Sequence, residues 1–398
     1  MVTDFVRHRC RSAQFLLVTD FLSLITLPED ASATGFDAFA PSDAPKDGKS
    51  MWNRLRRWWT PDLAIDLGTA STRMAVAGRG VTLDEPSVIV LNKGTRQVLG
   101  QGTAVGKLAR QMIGRTPDSI TAVRPVRDGV ITDFELCETM LRYFMRKALR
   151  RDRGSGVHPR VVLSVPGHVT EVERRAVFNS AERAGAGQVY LVRHAVAAAI
   201  GAGIPLAEPL AGMVCDIGGG TTDAAVFSLS ETVSSLSIRV AGDALDQAIA
   251  DHLRHRLGLR VGERSAEELK LEIGSAAPLD VELTAEVKGR DAVSGVPRKV
   301  LVTSQEVREA MAHPLRRIAN ELRRTIEDCH PELVADLVDN GLVLTGGGAL
   351  LRNLDVWLAE QLNMPVRVAE DPRSAVIRGA SICVEHLADW RELLDAGI

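Results

Sequence analysis

One short pattern occurs twice in this chain, and few architectures accommodate that. Residues 62–78 read DLAIDLGTASTRMAVAG, and from Gly212 the chain reads GMVCDIGGGTTDAAVFSL. Both contain D-[LI]-G-x-x-x-T: Asp66, Gly68 and Thr72, then Asp216, Gly218 and Thr222. In each copy an apolar strand ends beside an aspartate, a glycine turn follows, and a second strand leaves. A third element, GLVLTGGGALLRNLDVWLAEQL, passes from a buried strand through Gly346, Gly347 and Gly348 into a helix.

Glycines at such turns let the backbone approach a ligand closely and adopt positive φ. Successive N–H groups then point into a concavity that suits phosphate oxygens, and a helix start adds its dipole. An aspartate beside the turn can hold Mg²⁺ through water, because that ion keeps much of its hydration shell. One glycine turn alone is more often a plain hairpin. Three in order, two with the acid at the same offset, make a nucleotide clamp between two similar lobes. The commoner phosphate motifs, G-x-x-x-x-G-K-[ST] and a G-x-G-x-x-G opening a helix, are absent.

At 398 residues the chain has room for two domains or one bilobed body. A net charge of −3 gives no bulk attraction to nucleic acid, so no nucleic-acid partner is expected. The five cysteines (Cys10, Cys137, Cys215, Cys329, Cys383) form no C-x-x-C pair, which suits a reducing compartment. No apolar run approaches the roughly 18 residues of a membrane span. The nearest signal-peptide candidate, FLLVTDFLSLITL at 15–27, is interrupted by Asp20. Residues 28–50 are polar and aperiodic and read as disordered, so 1–50 form a disordered or mis-called extension.

Between that extension and the first strand stands MWNRLRRWWT, residues 51–60. On a helical wheel of about 100° per residue, Met51, Trp52, Leu55, Trp58 and Trp59 share one face. Arg54, Arg56 and Arg57 lie opposite. Tryptophans favour lipid headgroups and arginines favour anionic lipid, so the segment reads as an amphipathic membrane helix. A helix packed on the protein's own body would show the same pattern. A single short helix binds weakly, and stable attachment needs several copies together.

The three glycine turns in this order resemble the actin-like ATPases, an α/β fold of two similar lobes and four subdomains around a nucleotide cleft. The likeness extends further. GRTPDSITAVRPVRDGVITDFELCETMLRYF, AAAIGAGIPL, DIGGGTTD, ELKLEIGSA and LVLTGGGALLRNLD are similar to the MreB/Mbl family of bacterial actins, almost continuously from Asp62 to about Ala380. The resemblance implies lobe I at 61–195, with a small subdomain at 83–116 and completion by 374–398. Lobe II would run over 196–373, with a small subdomain at 256–300. Helical periodicity at 134–151 and 305–328 agrees with that layout. A metabolic kinase of this fold is disfavoured because the small-subdomain segments match MreB. A DnaK-type chaperone would need a substrate domain after the lobes.

Carried over by position, Gly68, Thr69, Ala70, Ser71 and Thr72 would hold the β- and γ-phosphates of ATP. Gly218, Gly219, Gly220 and Thr221 would form the second phosphate turn. Asp66 and Asp216 are the expected catalytic and metal-side acids, holding Mg²⁺ through water. Glu267, Glu268, Leu269 and Lys270 would grip ribose and adenine, and Gly346, Gly347, Gly348 and Ala349 would wrap the adenosine. The family also implies a membrane helix before the first strand, which makes Met51 the expected start. It further implies self-assembly into filaments, a cytoplasmic place on the inner membrane face, and membrane partners in cell-wall elongation or spore-wall assembly. A monomeric, nucleotide-dependent adaptor is the alternative.

The chain departs from the family at Ser71 and at the segment Arg193 to Ala195. Ser71 stands where asparagine is common. Arg193, His194 and Ala195 stand where MreB has Glu, Glu and Pro, and the glutamate before proline is taken to orient the attacking water. Three readings follow: His194 orients water for slow hydrolysis, ATP is bound but not hydrolysed, or another acid such as Glu171 or Glu173 compensates. A neutral imidazole can position water, whereas a protonated one is a poor base.

Overall fold

The computed structural model describes residues 61–150 and 158–396. The extension 1–50 and the segment 51–60, with its expected membrane helix, lie outside the described residues.

Two twisted sheets dominate. The first has six strands in the order Asp395–Ala396, Gln188–Arg193, Arg160–Val165, Leu63–Leu67, Ser71–Val76 and Gly80–Pro86. The second has five, ordered Glu231–Ile238, Thr222–Ser228, Gly212–Ile217, Leu342–Thr345 and Val366–Val368. Each is built around one copy of the repeated pattern. Leu63–Leu67 pairs antiparallel with Ser71–Val76 and parallel with Arg160–Val165. Gly212–Ile217 pairs antiparallel with Thr222–Ser228 and parallel with Leu342–Thr345. These central strands are near-continuous apolar runs, LAIDL and GMVCDI, because helices cover both faces.

Outer helices close each sheet. Phe134–Ala148 and Glu171–Ala184 cover the first through Met140, Phe144 and Ala181. Gly242–Leu257 and Ser304–Glu327 cover the second through Ile249, Met311 and Leu322. The expected periodic segments are therefore helices. Thr170 with Glu173, and Thr303 with Glu306, form capping boxes that start two of them.

Between the sheets lie His194–Gly201 and Ala375–Glu385, whose small residues join both sheets in one core. They cross at backbone contact. A Cβ on Gly201 would stand 1.8 Å from the Ala375 carbonyl oxygen, and one on Gly379 would stand 1.9 Å from that of Ala197. Only glycine fits at either place.

Two small sheets sit at the outer ends. Ile89–Asn92 pairs with Ile120–Val123 around Val88, Val90 and Ala109. Leu259–Arg260, Thr284–Asp291 and Pro297–Thr303 form the other. No helix among the described residues is long and apolar enough to cross a membrane. Cys137, Cys215, Cys329 and Cys383 are buried and unpaired.

Candidate nucleotide cleft

The two copies of the pattern fold alike. Gly68 N donates to Ser71 O at 3.1 Å, and Gly218 N donates to Thr221 O at 2.9 Å, closing equivalent turns. Both aspartates end on the inner edge of their sheets, each held by a hydroxyl from the parallel neighbour. Ser164 Oγ donates to Asp66 at 2.9 Å, and Thr345 Oγ1 donates to Asp216 at 2.9 Å. Across the hairpins the copies diverge: Asp66 faces Arg73, whereas Asp216 faces Asp223. Arg73 Nη1 lies 3.8 Å from Asp66 and so tempers one acid, while the other faces a like charge.

The turns meet across the lobes. A Cβ on Gly219 would lie 2.7 Å from Ala70 Cβ, and one on Gly220 would lie 2.5 Å from Thr69 Oγ1. Thr69 Oγ1 also accepts from Gly129 N at 3.0 Å. The amides of Thr69, Ala70, Gly219 and Gly220 make no backbone hydrogen bond among the described residues. A phosphate chain would suit this donor set, since each amide supplies an N–H. Thr72 was expected among the phosphate ligands but is fully buried, its Oγ1 2.9 Å from Ser87 Oγ. It is the second residue of the strand Ser71–Val76, where the alternation turns its side chain inward to brace the turn.

His194 opens its helix at the floor of the cleft, 5% exposed. Nε2 lies 3.8 Å from Asp66 Oδ1, and Nδ1 lies 3.4 Å from Asp223 Oδ2. Neither ring nitrogen nor Asp223 Oδ2 has a hydrogen-bond partner. Burial works to lower the His194 pKa, but the adjacent Asp223 carboxylate, then Asp66 and Asp216, push it up to about 9. Burial pushes Asp216 up to about 7, against the nearby imidazole. The surrounding aspartates thus favour the protonated ring, and a cation is no general base. The compensating acids do not reach it. Glu173 caps its own helix through Thr170 N at 2.8 Å, and Glu171 pairs with Arg174.

On the adenosine side the expected residues separate. Lys270 pairs with Asp246 at 2.8 Å and donates to Gly242 O at 3.1 Å. Glu267 is held by Arg110 of Lys107–Met112, from the opposite lobe, at 2.8 Å to each carboxylate oxygen. Glu268 faces solvent and pairs with Arg264 at 2.8 Å. Leu269 was expected to touch the nucleotide but is a core residue, 3% exposed, on the inner face of Glu263–Ile273. Ala349 is likewise core. Gly346 adopts φ +83 with a Cβ position 2.3 Å from Ile217 O, so it serves the turn itself. Gly348 packs against Ile217, and Gly347 alone of the three opens onto free space.

Arg124 makes a second crossing between lobes, 3.1 Å from Asp243 and 2.8 Å from Glu263. Beside it lies a cavity of about 490 Å³ lined by Arg124, Asp128, Asp243, Asp246 and Arg254; none of the glycine turns contributes to it. No group of three or more His, Cys, Asp or Glu among the described residues could ligate a metal directly. What the cleft offers a hydrated Mg²⁺ is the pair of carboxylates Asp66 and Asp216, each held by one hydroxyl.

Two lobes hinged on a pair of crossed helices, each offering a glycine turn and an aspartate to one cleft, define the actin-like class. Residues 60–392 match the family described as MreB/Mbl protein. The chain is 46% identical over 337 residues to the cell shape-determining protein MreB of Escherichia coli strain K12, covering 85% of this chain and 97% of that protein. It is 43% identical over 326 residues to the cell shape-determining protein Mbl of Bacillus subtilis strain 168, covering 82% and 96%. MreB 5 of Spiroplasma citri, solved bound to AMPPNP, superposes with a TM-score of 0.77 at 35% identity, covering 84% of this chain and 98% of that one. A MamK double helical filament shares the fold, with a TM-score of 0.68 at 21% identity over 82% and 99% of the two chains. The chain belongs to the MreB/Mbl family.

Proposed function

We propose that this chain is a cell-shape cytoskeletal protein that binds ATP with Mg²⁺ in the cleft and assembles with further copies into filaments. The observation that carries the reading is the contact of Gly219 with Ala70 above aspartates from both lobes. That contact puts amides of both turns within reach of one phosphate chain, so the ligand ties lobe to lobe. The relatives named as cell shape-determining, and the Spiroplasma citri protein solved with AMPPNP and with ADP, support it. Gly68–Ser71 and Gly218–Thr221 would hold the phosphates, Asp66 and Asp216 the hydrated metal, and Lys270 with Gly347 the adenosine end. Bound Mg–ATP supplies the terminal phosphate and the cation that offsets the aspartates.

The expected subdomain 83–116 would hold Ile89–Asn92 but not its partner Ile120–Val123, and 256–300 would hold most of the other small sheet, within lobes 61–195 with 374–398 and 196–373. Filaments would lie on the inner face of the cell membrane, held by many copies of helix 51–60, and guide wall-building membrane proteins. Sedimentation and electron microscopy with Mg–ATP test assembly; a chain that stays monomeric at high concentration overturns it. Deleting 51–60 should release the protein from anionic vesicles, and undiminished binding removes the anchor.

A second reading is favoured by His194 alone. A cation in the glutamate's place suits a nucleotide-dependent monomeric adaptor that hydrolyses ATP poorly. Light scattering with ATP separates the two.

A further inference from the structure

Asp223 lies outside the repeated pattern's shared residues, yet it is the most tightly fixed acid of the cleft. It is 1% exposed and stands across the hairpin from Asp216. One oxygen, Oδ1, accepts from Gly167 N at 2.8 Å and from Ser237 Oγ at 2.5 Å. A Cβ on Gly167 would come within 3.3 Å of Ser237 Cβ, so the missing side chain lets that amide reach the carboxylate. Ser237 Oγ is anchored in turn by His168 Nδ1 at 2.8 Å, and Arg239 Nε donates to His168 Nε2 at 3.1 Å. A line of polar contacts thus runs from the surface to Asp223.

The other oxygen, Oδ2, has no hydrogen-bond partner and points at His194 Nδ1, 3.4 Å away. The far side of the ring, Nε2, looks toward Asp66 on the opposite lobe's hairpin, 3.8 Å away. A buried carboxylate with one oxygen committed to fixed donors and the other facing an imidazole restricts how that ring can turn. Leaving three buried polar atoms without partners is costly unless a ligand or ordered water engages them.

We propose that Asp223 is a positioning residue of the nucleotide site: clamped by Gly167 and Ser237, it fixes the His194 ring so that Nε2 faces the terminal phosphate. The proposal rests on Mg–ATP binding in the cleft. It makes His194 a phosphate-sensing group and the Asp223–Ser237–His168 line its mounting.

The test uses the full chain with ¹⁵N-labelled histidine. In the wild type, addition of Mg–ATP should move the His194 ring signals, and Mg–ADP should leave them nearly unchanged. In Asp223→Asn the ATP-specific shift should vanish, and the preference for ATP over ADP by calorimetry should fall about tenfold. Ser237→Ala should show part of both losses, and Ser237→Thr, which keeps the hydroxyl, should restore the wild-type spectrum. Thermal melting establishes that each variant is folded; should Asp223→Asn fail to fold, the Ser237 pair decides the matter by itself. Mg–ATP binding with unaltered His194 shifts and preference in Asp223→Asn and Ser237→Ala overturns the proposal alone. Absence of Mg–ATP binding in the wild type overturns the underlying reading as well.

Discussion

Arg110 grips Glu267 across the mouth of the cleft, 2.8 Å to each carboxylate oxygen, at a separation of 157 positions in the chain. A residue expected to hold ribose is thereby occupied by the opposite lobe. With Arg124 bridging Asp243 and Glu263, the cleft is latched at two places. Partly exposed pairs of this kind contribute about 1 kcal/mol or less each. Removing Arg110 should therefore speed release of a fluorescent nucleotide a few-fold, and Arg110→Ala with Arg124→Ala should do more. Release that is unchanged in the double variant, or indifferent to salt in the wild type, removes the latch.

His194 is the position at which the proposed hydrolysis can be tested. Because the neighbouring carboxylates favour a protonated ring, the wild type and His194→Ala should both release phosphate slowly. His194→Glu installs the acid expected at this place from the resemblance and should raise the rate on the order of a hundredfold. Equal rates in all three would deny the side chain any part in hydrolysis.

The same cation makes stability depend on pH. The His194 pKa rises from an ordinary 6.5 to about 9 on folding. The native state therefore binds the proton more tightly than the unfolded chain. Its stabilisation is fully present below pH 6.5 and is lost as pH climbs through about 9. Chemical denaturation of the nucleotide-free protein should show this decline over that window, and His194→Gln should flatten it. A wild-type curve no steeper than the variant's would contradict the ionic contacts with Asp223 and Asp66.

Two glycine substitutions should fail in different ways. Gly379→Ala drives a methyl group into the Ala197 carbonyl and should destabilise the fold by roughly 3 kcal/mol or more, seen as a lower melting temperature. Gly347→Ala meets nothing within 4 Å and should fold normally while weakening nucleotide binding. A fully stable Gly379→Ala, or a Gly347→Ala with undiminished affinity, would show that the two roles are misassigned.

Much of the architecture was legible because it is written locally. The pattern from Asp66 to Thr72 and its return from Asp216 to Thr222 specify strand, turn and strand within a few residues, and the two hairpins share one turn hydrogen bond. Matching those hairpins to a known family supplied the lobes. The cleft was legible only in outline. Nothing near Glu267 announces Arg110, and nothing near His194 announces Asp223, since each pair meets only after the sheets and hinge helices have formed. Leu269 and Thr72 were drawn into the site by neighbouring motif residues, although helix and strand periodicity turns both toward the core. A wheel drawn for 263–273 would have separated Leu269 from Lys270.

The glycine crossing of His194–Gly201 with Ala375–Glu385 also limits how the subunit can respond. Helices in backbone contact act as an axle: the lobes can swing about it but have no slack to slide. A slight turn at that axle becomes a wide excursion at the rim, where Arg110 and Glu267 ride on opposite arms. A ligand that drew the lobes together would therefore be expressed outside as a change of angle, the quantity that sets pitch when identical subunits stack.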